Sequence, residues 1–320
     1  MNKKIAIIGA GIMGLLQALL LKQAGWDVTI FTNQDPLKTT TIAAGAIWMP
    51  YLALPEDKVL IWAKHSLDYY KEMATLPISG VYFTTHTEIL KIPQEKPAWM
   101  NLVSEGLPPD CQFPIDAIAF HSVYIPIIDT YRLVSYLLNL LKELRVNLIE
   151  KNITNFLELL DYRMIVNVAG VGAGKLAGDP NIYPIKGQTF TITQPTPRLT
   201  QSVFFDDGNV STLVVPHPDH VTIGITWREH DYSLNYELAE EEKLLQSAST
   251  LYPNLLQSEI LTRRVGLRPG RMGGIRLTEE YLSSTDQWIF HNYGHAGGGI
   301  TLAPGCAHDL LGRIENVYSA

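Results

Sequence analysis

Lys4-Ile-Ala-Ile-Ile-Gly-Ala-Gly-Ile-Met-Gly14 is the stretch on which the fold turns. Its opening, Lys4 to Ile8, runs on in apolar residues after one lysine, the pattern of a parallel strand covered on both faces. Gly9 permits a tight turn out of that strand, Gly11 lets the backbone approach a pyrophosphate, and Gly14 lets the next helix pack closely on the strand. A helix is predicted from Leu15 to Ala24, stopped by Gly25, and Asp27-Val-Thr-Ile-Phe31 makes a second strand. Strand, turn, helix and strand fill about thirty residues, the length of a βαβ unit. A diphosphate at the helix start meets free N–H groups and the positive end of the helix dipole. A dinucleotide is therefore expected against Gly9, Gly11, Ile12, Met13 and Gly14.

The same residues have a second reading. Lys3 and Lys4 followed by the apolar Ile5 to Leu21 resemble a signal peptide or a short membrane span. The regular glycines, Gln17 and the Lys22-Gln23 end favour a buried strand running into a buried helix, so no membrane partner is expected.

Working outward, Asp129 is a good N-cap for a helix reaching about Arg145, with Leu133, Leu137, Leu140, Leu141 and Leu144 on one face. Val146 to Ile149 and Met164 to Val168 read as further parallel strands. From Gly187 to Arg228, β-rich runs alternate with Pro and Asp-Gly turns. The glycine-rich Gly294 to Gly299 leads to a final helix near Cys306 to Glu315. The expected fold class is α/β: a Rossmann-type nucleotide-binding domain with a β-rich (α+β) substrate domain inserted in pieces. Its boundaries are drawn at 1–45, 131–186 and 276–320 for the nucleotide domain, and at 46–130 and 187–275 for the other.

Composition agrees with that scale. The 320 residues correspond to about two domains. An apolar share of 46% suffices for large cores and argues against disorder. A net charge of −7 with no basic run gives no case for nucleic-acid binding. Two cysteines, Cys111 and Cys306, exclude a disulfide framework and a cysteine-built zinc site, and a reducing cytoplasm is the simplest compartment.

Two further motifs carry less. Gly170-Val-Gly-Ala-Gly-Lys175 looks like half a phosphate loop, but Ala169 stands where the first glycine belongs and Leu176 replaces Ser or Thr. His291 and His295 lie four apart in a segment that does not favour a helix and lacks a partnering glutamate, so a structural role is expected and no metal. At the end of the second strand, where an acid normally meets the ribose, the chain reads Asn33-Gln34-Asp35. Either Asn33 or Asp35 is a candidate.

Four separated stretches now combine. They are Ile7 to Gly14; Thr39 to Gly45 continuing to Trp48-Met-Pro-Tyr51; Val265-Gly-Leu-Arg-Pro269 continuing to Ile275-Arg-Leu277; and His291-Asn-Tyr-Gly-His295 with Gly297 to Thr301. With the weaker Lys186-Gly-Gln188, they resemble the D-amino-acid oxidase and D-aspartate oxidase family of flavoproteins over essentially the whole chain. The resemblance implies non-covalent FAD, with Thr40, Thr41, Ala44 and Gly45 on its flavin side and Gly297, Gly298, Gly299, Ile300 and Thr301 over the isoalloxazine. It implies that Arg268 grips the substrate carboxylate through a bidentate pair, although Arg263, Arg264, Arg271 and Arg276 cluster nearby. It implies a reaction without an acid–base residue: the neutral amine of a D-amino acid gives its α-hydrogen as hydride to flavin N5. Imino-acid hydrolysis and reoxidation by molecular oxygen then give a 2-oxo acid, ammonia and hydrogen peroxide.

Two departures from the family pattern bear on the substrate. Leu213 stands where the family has a tyrosine beside the carboxylate, and the segment before it is short, which reduces the expected lid. Ile47 and Met49 match pocket-wall positions and, with Leu213 and Gly297, outline an apolar substrate pocket; packing in the core is their other reading. Three rivals stay open: a glycine- or sarcosine-oxidase-like enzyme or a dehydrogenase with another acceptor, a silent FAD-binding protein, and an NAD-dependent reductase. The side-chain preference and the oligomeric state, a homodimer among the options, stay open too.

Overall fold

The computed structural model describes residues 3–320 apart from 52, 93, 94, 115 and 116. Its strands in chain order are β1 (Lys4–Ile8), β2 (Asp27–Thr32), β3 (Val81–Leu90), β4 (Ser104–Glu105), β5 (Ala119–Ile128), β6 (Asn147–Glu150), β7 (Met164–Asn167) and β8 (Ile182–Thr193). They continue with β9 (Ser202–Asp206), β10 (Ser211–Pro216), β11 (His220–Gly224), β12 (Arg228–Glu229), β13 (Ile260–Arg271), β14 (Arg276–Leu282) and β15 (Gln287–Tyr293). The helices are α1 (Ile12–Gln23), α2 (Glu56–Ala74), α3 (Thr130–Glu143), α4 (Gly172–Ala177), α5 (Leu238–Leu251) and α6 (Gly299–Ser319).

One sheet has the order β14-β15-β7-β1-β2-β6. Its five strands from β15 to β6 are parallel and β14 closes the edge antiparallel, so the α/β fold with a Rossmann-type sheet stands. The second sheet runs β12-β8-β11-β10-β9-β3-β5-β4, with β13 paired along the length of β8. It is antiparallel except where β3 meets β9. The chain crosses between the sheets several times, since the first takes strands from 4–32, 147–167 and 276–293 and the second from 81–128 and 182–271.

The apolar N-terminal run is explained by burial. Ile5 to Ile8 are all buried, and α1 buries Ile12 to Leu19 and Leu21 against α3 and α6. Among the described residues no helix is long and apolar enough to cross a membrane. α3 begins as its sequence indicates, with the Asp129 carboxylate accepting the Arg132 N–H at 3.1 Å.

Two helices depart from the sequence reading. α1 starts three residues early because Gly11 itself serves as the N-cap. α6 starts at Gly299 rather than near Cys306 and carries Pro304 inside it. Proline lacks the N–H that would bond the Ile300 carbonyl, and the Tyr70 hydroxyl donates to that carbonyl at 2.7 Å instead. Tyr70 belongs to α2, which sequence periodicity did not reveal. On the same helix the Ser66 hydroxyl accepts the Gly305 N–H at 3.0 Å, and the Trp62 backbone fills the place where a Gly305 side chain would stand. Tertiary packing therefore sustains α6 through residues that break helices in isolation.

Candidate active site

The glycine turn is built by sterics. Gly9 has φ +116°, and a Cβ there would stand 2.5 Å from the Val168 carbonyl oxygen. Gly14 packs directly on the Gly9 carbonyl, so no side chain fits. The first N–H of α1, from Ile12, is donated to the Thr41 hydroxyl at 3.0 Å. A Cβ on Gly11 would come within 3.2 Å of that same oxygen. Thr40, next to it, exchanges hydrogen bonds with the backbone of Leu267 at 3.2 and 3.3 Å, tying the turn to the arginine segment of β13.

These elements surround a cavity of about 640 Å³, within the ~300–1,000 Å³ typical of ligand sites. Gly9, Gly11, Ile12, Met13, Thr40 and Thr41 line it. So do Asn33 and Ala44 and, from the other end of the chain, Arg268, Gly297, Gly299 and Ile300. The start of α6 thus opens on the same space as the start of α1. Two helix N-termini and a side-chain-free glycine cradle form a donor set that fits a diphosphate-bearing dinucleotide.

Other predicted residues stand behind the wall. Gly14 packs helix on strand, and Gly45 faces Leu213, whose methyl lies 3.0 Å from its Cβ position. Thr301 donates to the carbonyl of Met49 at 3.1 Å and accepts its N–H at 3.2 Å, so it clamps the Ile47–Met49 segment to α6. Ile47 and Leu213 are buried in the main core and Met49 packs against it, while Gly298 lies against Leu302 and Ala53. Asp35 caps the short turn Pro36–Lys38 by accepting the Leu37 N–H at 2.9 Å, which leaves Asn33 as the cavity-facing member of that pair.

Arg268 differs from its neighbours. Arg263 holds Glu241 at 2.7 and 2.9 Å, Arg271 holds Asp179 at 2.8 Å, and Arg276 holds Glu280 at 2.9 Å. Arg264 donates to the Ile42 carbonyl at 3.1 Å. Arg268 faces the cavity, gives one N–H to the Thr226 carbonyl at 2.9 Å, and meets no carboxylate among the described residues. Burial lowers its pKa to about 10, so it remains a cation at neutral pH. Its guanidinium lies so close over Gly187 that a Cβ there would collide with it. That contact explains the glycine of Lys186-Gly-Gln188.

Several residues at or beside the wall are not assigned to the site from sequence. Gly170 to Gly172, set aside as half a phosphate loop, lines the cavity, whereas Lys175 points to solvent from the six-residue α4. Lys38 and Lys151 also line it. Trp227 lies between cavity residues: its ring centroid is 5.4 Å from the Arg268 guanidinium and its edge 3.3 Å from the Gly297 Cβ position. No local motif marks Trp227, because its neighbours come from distant strands.

Both histidines noted in the sequence are buried; His291 stands behind the wall, whereas His295 lines the cavity. His291 meets Glu280 at 3.1 Å and Asn167 at 3.4 Å, and burial lowers its pKa to about 4 and that of His295 to about 3. Elsewhere, Asp129, His217 and His220 bring ligand-type atoms within 4.8 Å of one another. There Arg132 already pairs with the Asp129 carboxylate at 3.3 Å and the two imidazoles stack at 4.4 Å.

Comparison with known proteins agrees with this geometry. Residues 4–312 match the family model described as FAD dependent oxidoreductase. A D-amino-acid oxidase from Rubrobacter xylanophilus is 32% identical over 318 residues, covering 96% of this chain and 94% of that protein. One from Dictyostelium discoideum is 29% identical, covering 97% and 91%. Among solved structures, a glycine oxidase from Bacillus cereus superposes with a TM-score of 0.77 at 18% identity, covering 98% of this chain and 95% of that one.

Proposed function

The chain belongs to the D-amino-acid oxidase family of FAD-dependent oxidoreductases, and from that premise we propose that it oxidatively deaminates neutral D-amino acids to 2-oxo acids with release of ammonia and hydrogen peroxide. The observation that carries this reading is Arg268, a half-buried cation with no carboxylate partner among the described residues, on the wall of the cavity that the dinucleotide turn also lines. Such a cation is electrostatically incomplete, and an α-carboxylate completes it through a bidentate, charge-assisted pair. Bound FAD supplies the two-electron acceptor that takes the α-hydrogen as hydride and returns the electrons to oxygen.

The protein's own work is binding and orientation. Gly9, Gly11, Ile12 and the Met13 N–H would hold the diphosphate, Asn33 would meet the ribose, and Gly297, Gly299 and Ile300 would lie against the flavin. Arg268 fixes the carboxylate, which leaves the α-hydrogen of one enantiomer directed at the acceptor. No general base is assigned, because the neutral amine needs none. A neutral side chain is favoured because the two arginines that would have met an acidic one are occupied: Arg228 binds Glu237 at 2.6 and 2.8 Å, and Arg271 binds Asp179. We assign the cofactor to residues 1–45, 131–186 and 276–320 and the substrate to 46–130 and 187–275. The free thiols of Cys111 and Cys306 suit a cytoplasmic setting.

The test is anaerobic mixing of the FAD-loaded protein with a panel of D- and L-amino acids. Bleaching of the flavin by D-enantiomers alone, followed by peroxide formation in air, is expected. Bleaching by both enantiomers defeats the stereochemical assignment, and reduction without peroxide in air replaces the oxidase with a dehydrogenase.

A further inference from the structure

The connection that leads into Leu213 is short. β9 ends at Asp206 and β10 begins at Ser211, and the intervening turn is tied up by Asp207, which accepts the N–H groups of Asn209 and Val210 at 2.7 Å each. No lid segment fits in that turn. Leu213, at the position of the family tyrosine, is 6% exposed and packed on Gly45.

Trp227 lies where closure is needed. It is 43% exposed, yet its ring bridges two cavity residues, standing 5.4 Å from the Arg268 guanidinium and 3.3 Å from the Gly297 Cβ position. A guanidinium within about 6 Å of an indole centroid is attracted to it. The backbone before the ring is fixed from two sides. Arg268 donates to the Thr226 carbonyl at 2.9 Å, and the Thr226 hydroxyl accepts the Gln188 N–H at 2.9 Å. The indole N–H in turn donates to Glu229 at 3.2 Å, which sets a carboxylate beside the mouth. An exposed aromatic ring held this firmly, with the carboxylate anchor over the ring and its edge on Gly297, is an apolar surface awaiting a partner.

Resting on the D-amino-acid reading above, we propose that Trp227 is the specificity wall of the substrate site, receiving the apolar side chain of the substrate while Arg268 holds its carboxylate and Glu229 repels acidic side chains. The wall comes from the segment between β11 and β12 rather than from a lid before β10. Its contribution therefore scales with the apolar length of the ligand and not with the carboxylate.

The experiment titrates FAD-loaded wild type, Trp227→Ala and Trp227→Phe with the straight-chain carboxylates from acetate to hexanoate, following the flavin absorbance, and measures KM and kcat for D-alanine, D-leucine and D-methionine. In the wild type each methylene should tighten binding by up to roughly fourfold. In Trp227→Ala that factor should fall below roughly 1.5 with acetate affinity held within about twofold, while Trp227→Phe keeps most of the slope. KM for D-leucine and D-methionine should rise at least about tenfold in Trp227→Ala, with kcat and D-alanine moving less than about threefold. An unchanged slope in Trp227→Ala, or an equal loss for acetate and hexanoate, overturns the proposal. A wild type that binds the series but is bleached by no D-amino acid defeats the reaction assigned above while the slope still decides the wall. A wild type that binds none of the carboxylates overturns both.

Discussion

The two ends of the cavity are made by opposite means. At the dinucleotide end, backbone conformation does the work: Gly9 at φ +116°, Gly14 against the Gly9 carbonyl, and the N–H groups that begin α1, all within six consecutive residues. At the substrate end side chains do it, and Arg268, Trp227 and Gly297 arrive from β13, the β11–β12 connection and the start of α6. The first end tolerates no added atoms. The second is defined by what its groups lack among the described residues, a carboxylate for Arg268 and a covering for Trp227. Backbone cradles bind a chemical unit common to many enzymes, and distributed side chains choose among substrates.

Substitutions can separate the ends. The largest effect is expected from Gly11→Leu, whose side chain would enter the space beside the Thr41 hydroxyl, 3.2 Å from the Cβ position. Protein purified with this change should be colourless and should not take up added FAD, while its far-UV circular dichroism stays that of the wild type. A yellow Gly11→Leu protein would mean that the diphosphate lies elsewhere.

Arg268→Met should act on the other end alone. Losing one partner of a buried charge pair costs about 2–5 kcal/mol, or roughly 30- to several-thousand-fold in kcat/KM. FAD content should be unchanged. Catalytic efficiency within threefold of wild type would remove Arg268 from the substrate site.

Leu213→Tyr tests whether the family hydroxyl can be restored. Because Leu213 is 6% exposed and packs against Gly45, the larger ring overfills the core. The expected outcome is a loss of about 1–3 kcal/mol in urea unfolding without tighter substrate binding. A lower KM at undiminished stability would show that position 213 opens on the substrate after all.

Glu88→Gln is the control that touches neither end. Burial raises the Glu88 carboxyl from 4.5 to about 7. The folded protein therefore binds this proton more tightly than the unfolded chain does. The resulting stability is fully present below pH 4.5 and is lost as pH rises through 7. Glutamine should match the wild type near pH 5 and exceed it at pH 8 by about 1–2 kcal/mol, since partial exposure reduces the full linkage value. A stability difference that is the same at both pH values would place the carboxyl in water.

How much of this the sequence discloses follows from the same contrast. The βαβ unit is readable because its requirements are local: an apolar run, three spaced glycines and a second strand. α3 is readable for the same reason, through Asp129 and its leucine face. α6 was shortened because Pro304 and Gly305 are helix breakers by propensity, and the groups that compensate them, the Tyr70 and Ser66 hydroxyls, lie more than 200 residues earlier in the chain. Arg268 emerged only through family resemblance, since among five arginines within fourteen residues nothing local tells which one faces the cavity with no carboxylate partner among the described residues. Trp227 escaped altogether, as a lone aromatic whose significance depends on two partners at separations of 41 and 70 residues.

The turn at Gly9 to Gly11 and the start of α6 at Gly299 are walls of one chamber, though nearly 290 residues separate them. On the ribosome, the N-terminal strand and helix emerge long before their partners β7 and α6 exist. β1 has one neighbour, β2, close at hand, and must wait for β7 on its other side. The chamber is therefore unfinished throughout synthesis, and cofactor loading has to follow it. Cells short of flavin would accumulate a completed but empty chain, and how long that chain survives proteolysis becomes a measure of how much of its stability the cofactor supplies.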